Sequence, residues 1–377
     1  MTNIRNFAAE AQATEFLASL GGYAQPPSVA PLKGDAAHEV AVGPVHAGVI
    51  EPGHFRFQCV GETVYNLQIF LGYQRRSVCG EILRADGNLA RQIALAETCA
   101  GDTSVAAATC FAEIIEARDR TDPGDGIALR ALLLELERIA NHVGDLGALA
   151  GDVAFLPSAS FCGRIRGEYL NMTALVCGNR FGRNAVVPGG MRCTLTAAKR
   201  EQLAGWIRRV KQDLDAALKL MFESPTVCDR FDGTGVVPRD VAEGLGLVGV
   251  ARRASVELNG DVLSRALVRR MEIEEAHRKV LGLLAGAPLP ESSERKEEGG
   301  GVDRSGFTCI VSTVQAWRGP LVHAAVFGPD GRMRAYRIVD PSAHNWQGLA
   351  YALRGEQIAN FPICNKSFNL SYCGTDC

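Results

Sequence analysis

Several motifs are missing from this sequence, and each absence closes off a class of function. Its twelve cysteines contain no CxxC and no CxxCH. They stand apart at positions 59, 79, 99, 110, 162, 177, 193, 228, 309, 364, 373 and 377. That scatter lacks the tight spacing of zinc sites and reads as reduced thiols, not a disulfide framework. The seven histidines (38, 46, 54, 142, 277, 323 and 344) form no HxxxH pair, which argues against a zincin. There is no P-loop and no GxSxG. The glycine-rich pieces GGYAQPP, GLGLVG and GTG sit in no strand–GxGxxG–helix frame, so a dinucleotide site is unsupported. No apolar run of about 18 residues is present to span a membrane. The opening MTNIRNFAAEAQATEFLASLGG lacks the long apolar core of a signal peptide, so the expected location is the cytoplasm. A net charge of −2 gives no electrostatic reason to bind nucleic acid or anionic lipid.

What is present suits a large packed interior. The chain has 377 residues, 47% hydrophobic and 22% charged, enough for two or three packed modules. Residues 1–37 form an N-terminal extension with a short amphipathic stretch and then a proline-containing loop. Residues 38–71 have β texture: Phe55, Phe57 and Cys59 alternate with polar residues, and Gly61-Glu62 is a plausible hairpin turn. Residues 72–290 form a helical core. Its clearest helix carries Leu129, Leu132, Leu133, Leu136, Ile139, Ala140, Val143 and Leu146 on one face, with Asp125 as a candidate N-cap. Further helices fit 161–180, 196–222 and 261–286, and Gly189-Gly190 interrupts the pattern. Residues 291–306 read as a flexible charged linker. Residues 307–377 open with strands around a Pro-Asp-Gly turn at 329–331 and close with a tail. The fold class expected is mainly α with β elements (α+β): a helical bundle, an N-terminal antiparallel β element, and a C-terminal β hairpin and tail.

Four blocks carry a resemblance. They are VGPVHAGVIEPGHFRF at 42–57, LRALLLELERIANHVGDLGALAGDVAF at 129–155, ESPTVCDRFDGTGVVPRDVAEGLGLVGVARRAS at 223–255, and DPSAHNWQGLAYALRGEQIANFPICNKSFNLSY at 340–372. In this order the sequence resembles the large subunits of membrane-bound nickel–iron hydrogenases of the formate-hydrogenlyase type. It also resembles the related D subunit of NADH-quinone oxidoreductase (complex I). The resemblance implies a central bundle whose N-terminal end is met by the returning C-terminal segment.

It also implies where chemistry would sit. In the hydrogenase branch a CGxC pair and a DPCxxC pair hold the metals, because soft thiolates suit nickel and low-valent iron. Here the first pair reads CAGD, keeping Cys99 and placing Asp102 at its partner position. The second reads DPSAHN, with Ser342 and Asn345 at the cysteine positions and Asp340 kept. A family histidine is Ala106 here, and an HRGxE motif survives only as Arg75. No metal is therefore expected at the degenerate positions Cys99, Asp102, Ser342 and Asn345. From the resemblance, the ending is expected to correspond to that of the complex I branch and not to carry the extension of nickel-matured hydrogenases.

In the quinone branch the same cavity holds a quinone headgroup. His46 matches that branch's histidine, while Ala100 stands at the tyrosine position. Asp102, His344 or Tyr73 are the alternative donors. Arg318 matches a cavity arginine of both branches. The candidate catalytic residues are thus Cys99, Asp102 and Arg318. The candidate cofactor-binding residues are His46, Arg75, Asp340, His344 and Asn345. Quinone is the one cofactor the resemblance suggests for this chain, and the iron–sulfur cluster belongs to a small partner subunit.

Two functions follow. The chain is either a redox subunit of a membrane-associated oxidoreductase, docked on the inner face of the membrane through partner subunits, or an inactive scaffold in such a complex. A polar, open cavity joining Arg318, Asp102 and His46 favours the first. A filled, apolar one favours the second.

Overall fold

The computed structural model describes residues 1–286, 297–299 and 305–375, so most of the expected linker at 291–306 lies outside the described residues. The chain begins with β1 (Thr2–Phe7) and α1 (Glu10–Ser19), then β2 (Ala37–Val42), β3 (His54–Val60) and β4 (Thr63–Phe70). The helical core follows: α2 (Val78–Arg84), α3 (Leu89–Ala96), α4 (Ser104–Asp119), α5 (Gly126–Asp152) and α6 (Leu156–Cys177). A short hairpin, β5 (Val186–Val187) and β6 (Gly190–Met191), interrupts it. Then come α7 (Ala197–Phe222), α8 (Pro225–Phe231), α9 (Arg239–Gly244), α10 (Gly249–Glu257) and α11 (Val262–Leu284). The last part holds β7 (Glu297–Gly299), β8 (Phe307–Ala316), β9 (Gly319–Phe327), β10 (Met333–Val339), α12 (Ser342–Ala352) and α13 (Phe361–Phe368). The α+β class expected from the sequence is the one found.

The periodic face of α5 is buried as its spacing predicts: Leu132, Leu133, Leu136, Ile139, Ala140, Val143 and Leu146 all lie in the core. Leu129 packs against that core from its edge. Asp125 does precede the helix, but its backbone is already helical and its side chain makes no capping bond. The helix start is instead held by packing, since a Cβ at Gly126 would lie 2.8 Å from Gly190 Cα. Helices α5 and α6 approach closely at Gly147, where a Cβ would meet that of Cys162 at 2.7 Å.

Helix α4 is alanine-rich, and 13 of its 16 residues are buried. A helix apolar nearly all round must be covered on every side. The sheet of β8 and β9 covers one side and α5 another.

The N-terminal β element is a three-stranded antiparallel sheet, β2-β3-β4, with Phe55, Phe57 and Cys59 fully buried. The second sheet has the order β10-β9-β8-β1-β7. The sequence pattern shows no strand before residue 38, yet β1 pairs with β8 in the middle of that sheet, Ile4 opposite Ile310. Its short, asparagine-containing run forms a strand because a partner is supplied from about 300 residues away in sequence. Helix α1 then lays Ala13 and Leu17 on Cys309, Val311, Ala324 and Val326. The first residues and the C-terminal strands thus share one layer.

The β8–β9 turn has only two residues, Trp317 and Arg318, and it points this pair at the start of α4. Gly249 permits the approach: its φ is +58°, and a Cβ there would lie 2.1 Å from the Arg318 carbonyl oxygen.

Candidate functional site

Five segments meet at the N-terminal end of α4: the 99–103 loop, the Trp317–Arg318 turn, the start of α12, the stretch 369–375, and the loop before β3. At their centre Arg318 donates to both carboxylate oxygens of Asp102, each at 2.8 Å. Its Nε donates to the Asn369 carbonyl at 2.7 Å, and its guanidinium lies 3.9 Å above the Trp317 ring. Burial works against ionising Asp102, but the Arg318 charge and its hydrogen bonds win, holding the carboxyl below its usual range. For Arg318 burial also opposes the charge, and Asp102 overrides it and raises the guanidinium's pKa. The polar chain continues inward: Asn369 donates to Asp145, which accepts from Arg269 Nε at 2.8 Å.

The space between 99–102 and 340–345 is filled by the protein itself. Cys99 is 3% exposed, and its thiol reaches the Gly374 carbonyl at 3.9 Å. Ser342 Oγ accepts from Ser371 N at 2.8 Å. The buried Asp340 accepts from Ser342 N at 2.8 Å, and burial raises its pKa against the opposing Arg318 charge. Trp346 Nε1 donates to Thr375 Oγ1 at 3.3 Å. Glu51, from the loop before β3, accepts from Cys373 N at 3.2 Å. Burial pushes the Cys373 thiol up to about 11.

Beside Asp102, Glu137 of α5 accepts from the Val105 and Ala106 amides at 2.8 and 3.4 Å. Burial nevertheless pushes its carboxyl up to about 8, Asp102 adding to the effect. The two carboxylates line a cavity of about 20 Å³, room for one water molecule, together with Asn141, Thr173 and Arg166. Among the described residues, no group of three or more His, Cys, Asp or Glu is arranged to hold a metal ion.

Comparison with known proteins bears on this architecture. The family described as respiratory-chain NADH dehydrogenase, 49 Kd subunit, matches residues 152–259. Hydrogenase-4 component G of Escherichia coli is 25% identical, over 90% of this chain and 62% of its own. Formate hydrogenlyase subunit 5 of the same organism is 26% identical over 89% of this chain, again 62% of its own. NADH-quinone oxidoreductase subunit 4 of Thermus thermophilus is 28% identical over 61% of this chain and 67% of its own.

The chain is similar to hydrogenase large subunits and their complex I counterparts.

It spans 62% of the length of the two Escherichia coli relatives. The fold is matched by a chain of the membrane-bound sulfane sulfur reductase, an archaeal respiratory membrane complex. That match has a TM-score of 0.78 at 19% identity, covering 91% of this chain and 99% of that one.

The residues singled out from the sequence separate into two groups. Cys99, Asp102, Arg318, Asp340 and Ser342 come together around the stretch 369–375. Asn345 is near in sequence, but its amide is spent on the backbone of Val248, at 3.0 and 3.2 Å. His344 is half-buried, and its backbone amide bonds to the Pro341 carbonyl. His46 does not join the centre. Its ring accepts from Gly48 N at 2.9 Å, and it lines a separate groove of about 260 Å³ with Val42, Ile358 and Pro362. Arg75 is exposed, and it is Arg76 that donates to the Cys99 carbonyl, at 3.1 Å. Sequence reading missed Glu51, Glu137, Asn369 and Cys373. Glu137 alone left a signal, as a carboxylate on the apolar α5 pattern facing an alanine-rich helix. No described helix is long and apolar enough to cross a membrane.

Proposed function

We propose that this chain is a hydrogenase-large-subunit-like component of a membrane-associated multisubunit oxidoreductase, pairing with a small iron–sulfur subunit and carrying no nickel–iron centre. One observation carries the reading: every position where the family resemblance expects a metal thiolate is tied into the fold. Cys99 lies under the Gly374 carbonyl, Asp102 is paired with Arg318, Ser342 accepts from Ser371, and Asn345 grips Val248. A carboxylate, a hydroxyl and an amide are hard or neutral donors beside one sulfur, a set that does not fit nickel and low-valent iron. Assembly with other subunits agrees with the relatives, two of which are named as subunits of a formate hydrogenlyase and of NADH-quinone oxidoreductase. The test is affinity purification of the chain from its native cells. A small subunit with iron and acid-labile sulfide should accompany it, and recovery of the chain as a solitary monomer would refute the pairing.

A second reading, electron transfer to a quinone or another small acceptor, has one observation in its favour. The filled cavity is polar, not apolar: its walls retain the half-buried Asp102 paired with the buried Arg318, and Asp340. Charges that serve only packing are costly to bury. Against a quinone headgroup, Ala100 supplies no donor and His46 faces another groove. The scaffold role is therefore the better supported. Quinone-analogue binding separates the two: saturable binding abolished by Arg318→Met would favour the redox role.

A further inference from the structure

The geometry points to a gate: the single turn Cys373–Thr375 is a flap that closes the polar pocket over Cys99, hinged on a fixed anchor at Tyr372. The inference goes beyond the proposed function, because it holds whether the pocket receives a redox ligand or none.

The anchor and the flap differ in kind. Tyr372 is fully buried, wedged against Trp346 (4.9 Å between ring centres) and Phe55, and its hydroxyl accepts from Asn365 Nδ2 at 3.1 Å. The next three residues form one tight turn. Among the described residues, and outside their own backbone neighbourhood, they are held by a few bonds, each to a side chain of another segment: Cys373, through its N and its thiol, to Glu51, Thr375 Oγ1 from Trp346, and the Gly374 carbonyl with the Cys99 thiol. The last of these is a thiol contact at 3.9 Å, weak by any measure. Local opening needs only such a small set of bonds to break, far fewer than global unfolding.

What the flap covers is what a ligand would meet. Beneath it lie Cys99, 3% exposed, and Asp340, also 3% exposed, with the Asp102–Arg318 pair adjoining. Gly374 fits tightly: a Cβ there would come 2.5 Å from Asp340 Oδ2 and 2.7 Å from Ser371 Oγ. A side chain at this one position therefore pushes the flap outward while leaving Tyr372 in place. The clamp on the other side, Glu51, belongs to the loop before β3. A partner that moves this loop would release the flap.

Thiol labelling tests the gate. The full chain, purified with its partners, is treated with N-ethylmaleimide, and modification is followed cysteine by cysteine with peptide mass spectrometry. Cys110 and Cys162, both fully buried in helices, report global unfolding. The gate predicts that Cys99 in the unaltered protein labels faster than Cys110 and Cys162. It further predicts that Gly374→Ala, and independently Glu51→Ala, speed Cys99 labelling roughly tenfold by removing one or two ordinary bonds, with Cys110 unchanged. If Cys99 labels no faster than Cys110 in all three proteins, or if the two rise together in the variants, the gate is overturned.

Discussion

Asp102 and Arg318 are 216 residues apart in the chain and meet through two parallel contacts of 2.8 Å. The pair joins the start of α4 to the β8–β9 turn. Removing one partner leaves the other charge buried, so Asp102→Ala should cost about 3 kcal/mol. That is the low end for a buried pair, because the Asp102 side chain is 33% exposed. The double variant Asp102→Ala, Arg318→Met should be more stable than the sum of the two single losses implies. Urea unfolding of the four proteins measures this, and strictly additive losses would show that the pair is not coupled.

Gly249 should not tolerate a side chain. Alanine there meets both a positive φ of +58° and the Arg318 carbonyl at 2.1 Å. A loss of about 2–4 kcal/mol is expected for Gly249→Ala. The midpoint of urea unfolding is the check, and a change within error would mean the turn moves freely.

Glu137 sets a pH dependence. Its carboxyl has a folded-state pKa of about 8, against an ordinary 4.5, with burial the largest cause. The folded protein therefore binds this proton more tightly than the unfolded chain. Stability contributed by the protonated group is full below pH 4.5 and is lost as pH rises towards about 8. The melting temperature should fall across that window, and Glu137→Gln should flatten the fall. An unchanged slope in the variant would assign the effect to other groups.

The fold was legible where its causes are local. The three- and four-residue spacing on α5 and the alternation of Phe55, Phe57 and Cys59 name their own buried faces, and both are buried. Strand β1 was not legible, because TNIRNF has no strong strand pattern and owes its state to β8. The same limit governs the site. Cys99, Asp102 and Arg318 could be placed by family motif. Glu51 and Asn369 lie inside the quoted blocks and Cys373 just beyond one, but their sequence carries no sign of their contacts: Glu51 takes the backbone amide of Cys373, and Asn369 offers its own carbonyl to Arg318. His46 and Arg75 carried motif signals, yet one ring turns to its own loop and the neighbouring Arg76 takes the contact with the Cys99 loop.

Cys99 is buried, with its thiol against the Gly374 carbonyl. Cys99→Ala should cost about 1 kcal/mol and leave co-purification with the proposed small subunit intact. Thermal unfolding and pull-down together measure this. Loss of the partner without loss of stability would give the thiol a role beyond packing.

The central claim is that a hydrogenase large-subunit fold persists here without its nickel–iron centre. Elemental analysis of the anaerobically purified native complex tests it most directly. The account predicts iron with acid-labile sulfide from the small subunit, and nickel below roughly one atom per ten copies of this chain. Nickel approaching one atom per chain, retained after exhaustive chelation, would contradict it.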